Sequence, residues 1–318
     1  MTTISRRDYL ALTLATGAAL TIDPRGAFAQ SPLLTRAIPS SGELLPVVGL
    51  GSSATFSQVA RSEDIAGLRE VLKTLVDRGA TVFDTAPSYG ASEEVAGRIA
   101  AEASITQKVF WATKVNVVPR GGTAADPAAA RAQIESSFTK LKKSKIDLIQ
   151  VHNVADVPTQ LGILKELKGA GRVRYIGVTS TSEEQYPALM AAMKAEPLDF
   201  IGIDYAVDNL EVEKEILPLA RDRKIGVLVY LPFGRTRLFR RVGDRPVPEW
   251  AAEIGVTTWA QFFLKFVLGH PAVTSVTPAT SQAKHLIDNL GAAVGKLPDE
   301  AMRKRMVAFV DALPQAQG

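Results

Sequence analysis

The sequence predicts an α/β fold, a single (β/α)8 TIM barrel over residues 30–318, on three observations. From residue 44 onward, short β-branched runs alternate with longer amphipathic stretches, the pattern of parallel strands joined by helices. Eight such runs can be counted. No composition break or long linker divides them, which favours one closed barrel over two domains.

Taken in order, the strands fall at 45–51, 81–85, 108–114, 146–152, 173–179, 200–205, 225–231 and 273–277. The helices fall at 62–78, 92–103, 127–142, 159–170, 183–194, 212–221 and 257–268, with one or two more between 281 and 313. The first strand ends in Gly49, Leu50 and Gly51, glycines that suit a strand whose backbone approaches a substrate. With Ala54 they also match the loose dinucleotide fingerprint G-x-G-x-x-A. That fingerprint opens directly into a helix and meets an acid about twenty residues later. Here the chain runs into Thr55, Phe56, Ser57 and Gln58, and the first strand-end acid is Asp84. The next six strands each carry a polar residue at the C-terminal end: Asp84, Lys114, His152, Thr179, Tyr205 and Tyr230. Parallel-barrel enzymes place their chemistry on that rim, so these six predict a ring around one mouth.

The 318 residues are 46% hydrophobic and 22% charged, enough to bury a large core. The net charge of +4 comes from lysines and arginines mixed with acids rather than gathered into a stripe, which argues against a nucleic-acid partner. The absence of cysteine excludes disulfides, thiolate metal sites and a cysteine nucleophile. Three histidines, His152, His270 and His285, leave little for a zinc site, and no metal is expected.

Residues 1–29 do not read as barrel. Ser5-Arg6-Arg7-Asp8-Tyr9-Leu10 is a twin-arginine start, 11–20 is a short and moderately apolar run, and Ala27-Phe28-Ala29 is a small-x-small cleavage site before Gln30. The expectation is a twin-arginine signal peptide over 1–29, passage of the folded chain through the twin-arginine export machinery, and a periplasmic location. A run of ten residues cannot cross a hydrocarbon core that needs about twenty, so no stable membrane span is expected.

A phenol, an ammonium, a carboxylate and an imidazole at one mouth make a proton-donating site. A free tyrosine has a pKa near ~10, too high for acid–base work near neutrality. Lys114 beside Tyr89 stabilises the phenolate, an effect of roughly 1–3 units for an opposite charge in hydrogen-bonding range. Asp84 pairs Lys114 and keeps it charged, and His152 holds the carbonyl oxygen of a small-molecule substrate. Such a site protonates that oxygen while hydride reaches the carbon. No side chain donates hydride, so a nicotinamide cofactor is implied.

Residues 82–90 (VFDTAPSYG) followed by Ser92 and Glu93, Ala112-Thr113-Lys114, residues 147–152 (DLIQVH), residues 171–178 (GRVRYIGV), and residues 276–280 (VTPAT) with Asn289 together resemble the aldo-keto reductase family, from about residue 44 to 312. The resemblance implies reduction of aldehydes or ketones with NADP(H), or the reverse, with Asp84, Tyr89, Lys114 and His152 as the catalytic tetrad and Tyr89 the general acid. It places Tyr230 as the ring that stacks on the nicotinamide, within a cofactor loop that includes Leu231, Pro232, Gly234 and Arg235. It puts Thr280, Ser281 and Asn289 at a helix start facing the adenosine phosphate. Where the family has Ser-Asn for the carboxamide this chain has Thr179 and Ser180, and where a glutamine is expected in the sixth strand it has Gly202. Ala279 replaces a lysine that some members use for the 2′-phosphate, with Lys284 and His285 as substitutes, so NADP(H) is favoured while NAD(H) stays open.

Arg235, Arg237, Arg240, Arg241 and Arg245 follow the seventh strand. One or two are expected to clamp the pyrophosphate, the rest to form a solvated basic loop. His270, before Pro271, is expected to cap a helix as a cation; Trp111 and Trp259 are expected in the core. Trp250 either overhangs the pocket or anchors its loop. Two other functions stay open: a cofactor-assisted isomerase or dehydratase, and a non-catalytic nicotinamide-binding barrel.

Overall fold

Thr35–Ala37 (β1) and Leu44–Pro46 (β2) pair antiparallel, with Gly42 at φ +78° in the turn between them. The computed structural model describes residues 32–62 and 65–314, so the signal peptide expected over 1–29 lies outside the described residues. The hairpin is a departure from the sequence reading. Residues 45–51 were expected to form one barrel strand, but Leu45 and Pro46 belong to β2 and only Leu50–Gly51 (β3) joins the barrel sheet. The hairpin brings Ile38 and Leu45 under the barrel, where they pack with Val82, Phe110 and Phe200 from the N-terminal ends of barrel strands. Arg36 locks it in place by donating to the carbonyls of Leu268, His270 and Val273.

The barrel strands continue as Val82–Asp84 (β4), Phe110–Val115 (β5), Ile146–Val151 (β6), Val173–Ser180 (β7), Phe200–Asp204 (β8), Gly226–Tyr230 (β9) and Ser275–Val276 (β10). Each is parallel to the next. Parallel bridges Val48–Val276 and Gly51–Ala279 close the ring. The glycines of the first strand are explained at this seam: a Cβ on Gly51 would stand 2.4 Å from the Thr277 carbonyl oxygen, and one on Gly49 would stand 2.7 Å from the Val82 carbonyl oxygen. Close backbone approach, not a dinucleotide turn, requires them.

The helices are Thr55–Val59 (α1), Ala66–Asp77 (α2), Ser92–Glu102 (α3), Pro127–Lys140 (α4), Val157–Gly169 (α5), Tyr186–Ala195 (α6), Ile216–Asp222 (α7), Arg237–Val242 (α8), Trp259–Leu268 (α9), Ala283–Gly291 (α10) and Glu300–Asp311 (α11). Local chemistry sets several starts: Asp126, Thr258 and Asp299 each accept a backbone N–H of the first turn. The single-turn helices α1 and α8 were not expected. Among the described residues no helix is long and apolar enough to cross a membrane.

Strand alternation divides the core into two shells. Leu148, Tyr175, Phe200 and Leu228 fill the barrel. Phe83, Trp111, Ile149, Ile176 and Val227 face outward, under the helices. Trp111 is fully buried there, as expected. Trp259 stacks with Phe263 and Phe309. Trp250 packs on Phe262 and Phe309 with the Arg305 guanidinium 4.3 Å from its ring, so it anchors its loop rather than overhanging the mouth.

Candidate active site

The C-terminal ends of β4, β5 and β6 bring three of the predicted polar residues to one point. Lys114 Nζ donates to Asp84 Oδ2 at 2.7 Å and to the Thr85 carbonyl at 2.8 Å, with both charged side chains nearly inaccessible to water. Tyr89 arrives from the loop after β4. Its ring centroid lies 5.1 Å from the ammonium and 6.0 Å from the His152 ring, edge to face. The four residues expected to act together are therefore together.

Tyr230, expected to stack on a nicotinamide ring, is turned into this polar centre. Its hydroxyl donates to Asp84 Oδ1 at 3.1 Å and accepts from Gln150 Nε2 at 2.9 Å, and Lys114 Nζ stands 5.0 Å from its ring centroid. Gln150 was missed in the sequence. The signal was its spacing, two residues before His152 just past the end of the strand, and hence on the same face. Tyr205 was predicted in the ring and is not in it. It follows Ile201 and Ile203 on the outer face of β8, where its hydroxyl bonds Glu213 and Arg303. The inward neighbour Asp204 lies nearer the mouth instead, held by the Tyr186 hydroxyl at 2.8 Å and by Asn209 Nδ2 at 2.7 Å.

Burial dominates the electrostatics. It raises the Asp84 carboxyl above the ordinary carboxylate range against the opposing pull of Lys114 and Tyr230. Burial also raises the Tyr89 phenol; Lys114 presses it down, as expected, but does not outweigh desolvation. For Lys114 burial disfavours the charge, yet Asp84 and Tyr89 prevail and raise it. Burial, then the Lys114 charge, lowers His152 to about 3, so near neutrality the imidazole is uncharged. Strain gathers nearby. Asn153, Val154 and Asp156 after β6, and Leu231 and Arg235 after β9, all have positive φ.

A model of the aldo/keto reductase family matches residues 47–306. The chain belongs to the aldo/keto reductase family. It is 29% identical over 316 residues to the aldo-keto reductase str7 of Strobilurus tenacellus, covering 86% of this chain and 92% of that protein. It is 32% identical over 191 residues to the aldo-keto reductase YhdN of Bacillus subtilis (strain 168), covering 58% and 57% respectively. Among solved structures it resembles an aldo/keto reductase from Klebsiella pneumoniae in complex with NADP and acetate, at 22% identity and TM-score 0.70, over 91% of this chain and 98% of that one.

The other predicted residues of this aldo/keto reductase divide. A cavity of about 100 Å³ is lined by Asp204, Asn209, Leu231, Gly234, Arg235 and Arg237, among others, Leu231 being the neighbour of Tyr230. Pro232 lies in the turn closed by Gly234 N–H to the Leu231 carbonyl at 2.8 Å. Of the five loop arginines, Arg237 is held bidentate by Asp208, Arg240 bonds Thr236, Arg241 is buried against the carbonyls of Asp311 and Leu313, and Arg245 bonds the Val242 carbonyl. Only Arg235 combines a place on the cavity with a field that reaches Tyr89.

Thr179 accepts from the Asn153 N–H at 3.0 Å and so ties down the loop after His152. Ser180 is not brought to the mouth; it lies on the outer face of β7 with Ile176 and Val178, bonded to Ser182 and Gln185. Thr280 and Ser281 precede α10 as expected, and His285 in its first turn is exposed. Asn289 sits in the last turn of α10, not at its start, on the buried face with Leu286 and Leu290. His270 is held near 4 by burial and so is uncharged, accepting from the Ala272 N–H; Arg36 supplies the cation at that helix end. Among the described residues no group of His, Asp and Glu could hold a metal ion.

Proposed function

We propose that this aldo/keto reductase reduces aldehyde or ketone carbonyls to alcohols, or runs the reverse, with NADP(H), NAD(H) being the alternative carrier. One observation carries the reading: a phenol and an uncharged imidazole meet over a buried ammonium–carboxylate pair. The nicotinamide cofactor, when bound, supplies the hydride. Tyr89, kept protonated by burial, gives its proton to the carbonyl oxygen. Lys114 stabilises the charge left on the phenolate oxygen, and Asp84 holds Lys114 in place. Neutral His152 offers an N–H that orients the carbonyl. The NADP complex of the Klebsiella pneumoniae relative supports the cofactor assignment. The residues present fit a dinucleotide: Arg235 lines the cavity with no ion pair among the described residues, Leu231 and Gly234 line the same cavity, and Thr280 and Ser281 precede the N-terminus of α10.

The test is titration of the purified full-length chain with NADPH and NADH by fluorescence, followed by cofactor oxidation across a panel of aldehydes and ketones, beside Tyr89→Phe. Turnover that falls by about 10²–10⁴ in Tyr89→Phe, with cofactor affinity kept, supports the reductase. Cofactor binding with no turnover on any carbonyl would overturn it in favour of an isomerase, a dehydratase or a binding module. Residues 1–29 are proposed to send the folded protein, with cofactor already loaded, through the twin-arginine machinery to the periplasm. Cofactor that dissociates rapidly from periplasmic protein, with no turnover on paired oxidisable and reducible substrates, would sink that part.

A further inference from the structure

Asp84 offers two carboxylate oxygens, and the structure fills both by different means: Lys114 on Oδ2 and the Tyr230 hydroxyl on Oδ1. A hydroxyl has one proton to give, and which way it points depends on its other partner. Gln150 settles this. Its Nε2 donates to the Tyr230 oxygen and can only donate, so the phenolic proton is left for Asp84. The opposite orientation of the amide would take the phenolic proton for Gln150 Oε1 and set two acceptor oxygens, Tyr230 and Asp84, against each other at 3.1 Å. The carboxylate therefore selects the amide orientation seen, at the cost of leaving Oε1 buried without a partner. The chain of donors runs from Gln150 to Tyr230 to Asp84.

The ring needs a seat to reach that far into the barrel, and Gly202 makes it. A Cβ at residue 202 would meet Tyr230 Cε2 at 2.4 Å and its hydroxyl oxygen at 2.7 Å. On the facing strand, Gly202 pairs with Leu228, two residues before Tyr230 on the same face. The glycine that departs from the family pattern and the inward tyrosine are thus one device.

We infer that Tyr230, seated on Gly202 and oriented by Gln150, is a positioning residue that fixes the Asp84 carboxylate against Lys114 and so fixes the ammonium beside Tyr89. Only the final link, to Tyr89, rests on the proposed carbonyl reduction; the link to Asp84 stands without it. A hydrogen bond to the ionised form of a carboxyl favours that form, so losing the Tyr230 hydroxyl makes Asp84 take up a proton at higher pH.

The experiment is a pH titration of the cofactor-free full-length chain labelled with ¹³C in the aspartate carboxyls, the Asp84 resonance being identified by its absence in Asp84→Asn. Tyr230→Phe keeps the ring and is expected to raise the Asp84 midpoint by about one unit. Gln150→Leu is expected to raise it by less, and it keeps the question open to measurement if Tyr230→Phe folds poorly. Gly202→Ala is expected to raise it by displacing the ring, and to add nothing on top of Tyr230→Phe. In the active enzyme the acid limb of kcat/KM should move up with the Asp84 midpoint, which a merely space-filling ring would not cause. An Asp84 midpoint unchanged in Tyr230→Phe and Gln150→Leu overturns the inference. A midpoint that moves in a protein that reduces no carbonyl would instead leave the inference standing and remove the reductase.

Discussion

Lys114 Nζ sits 2.7 Å from Asp84 Oδ2, with the two side chains only 1% and 5% exposed. At that burial, removing one partner strands the other as an uncompensated charge, which costs about 3–5 kcal/mol. Lys114→Met and Asp84→Leu are each expected to destabilise the fold by that order and to abolish turnover. The double variant should recover most of the stability, because a buried ion pair replaced by apolar groups is often neutral. It should recover none of the activity. Urea midpoints and kcat/KM on the four proteins check both halves, and a double variant no more stable than the singles would contradict the argument.

Stability should fall in mild acid, and two half-buried histidines set where. Burial, then Lys114, holds His152 at about 3, while burial, then Arg303, holds His270 at about 4. The unfolded chain protonates both near ~6.5. As pH falls below that value the unfolded state gains protons that the native state does not, so stability is lost between pH 6.5 and about 4, continuing to about 3 for His152. Each unit in that window costs up to about 1.4 kcal/mol per histidine. His270→Gln should flatten the melting-temperature profile over that window without altering turnover at pH 7. A profile as steep as that of the parent protein would remove His270 from the account.

Arg36 ties a three-residue strand to the end of a helix far along the chain by donating to three carbonyls there. Arg36→Met takes away those donors and the favourable cation at the C-terminus of α9. The expected loss is about 1–3 kcal/mol in equilibrium denaturation, with kcat/KM unchanged because the hairpin sits at the opposite end of the barrel from Tyr89. Unaltered stability would mean that Ile38 and Leu45 alone hold the hairpin.

The barrel was legible because its strands are continuous apolar runs buried on both faces and bounded by turns. The hairpin was not: three-residue strands around Pro39, Ser40, Ser41 and Gly42 carry too few alternations to show a period. The six-residue α8 failed for the same reason. Asp84, Lys114 and His152 were legible because each stands at or just beyond a strand end, and Tyr89 because residues 82–90 resemble the family segment that carries the tyrosine. Gln150 was hidden inside its strand, and Tyr205 was misplaced because a strand-end position does not reveal which face a side chain takes. Ile203 and Ile201, two and four residues before it, share its face, but a strand apolar on both faces does not show which face is outside. The inward turn of Tyr230 was beyond sequence, since it depends on space left by Gly202 on another strand.

The arginine loop separates two kinds of positive charge, and mutation should tell them apart. Arg237 is already satisfied by both oxygens of Asp208, so it has little left to offer a phosphate. Arg235 lines the cavity, makes no ion pair among the described residues and acts electrostatically on Tyr89. A guanidinium matches a phosphate with two parallel N–H bonds, and a charged hydrogen bond of that kind contributes about 1.5–3 kcal/mol. Arg235→Gln should therefore weaken NADPH binding by about 10–100-fold, whereas Arg237→Gln should change it by less than about threefold. Because the Arg235 charge also lowers the Tyr89 phenol, its removal should move the basic limb of the reductive pH profile to higher pH. Fluorescence titration of NADPH into the two variants, with the pH profile of Arg235→Gln, decides the matter. Equal affinities in both variants and the parent protein would assign the pyrophosphate to the backbone of the loop instead.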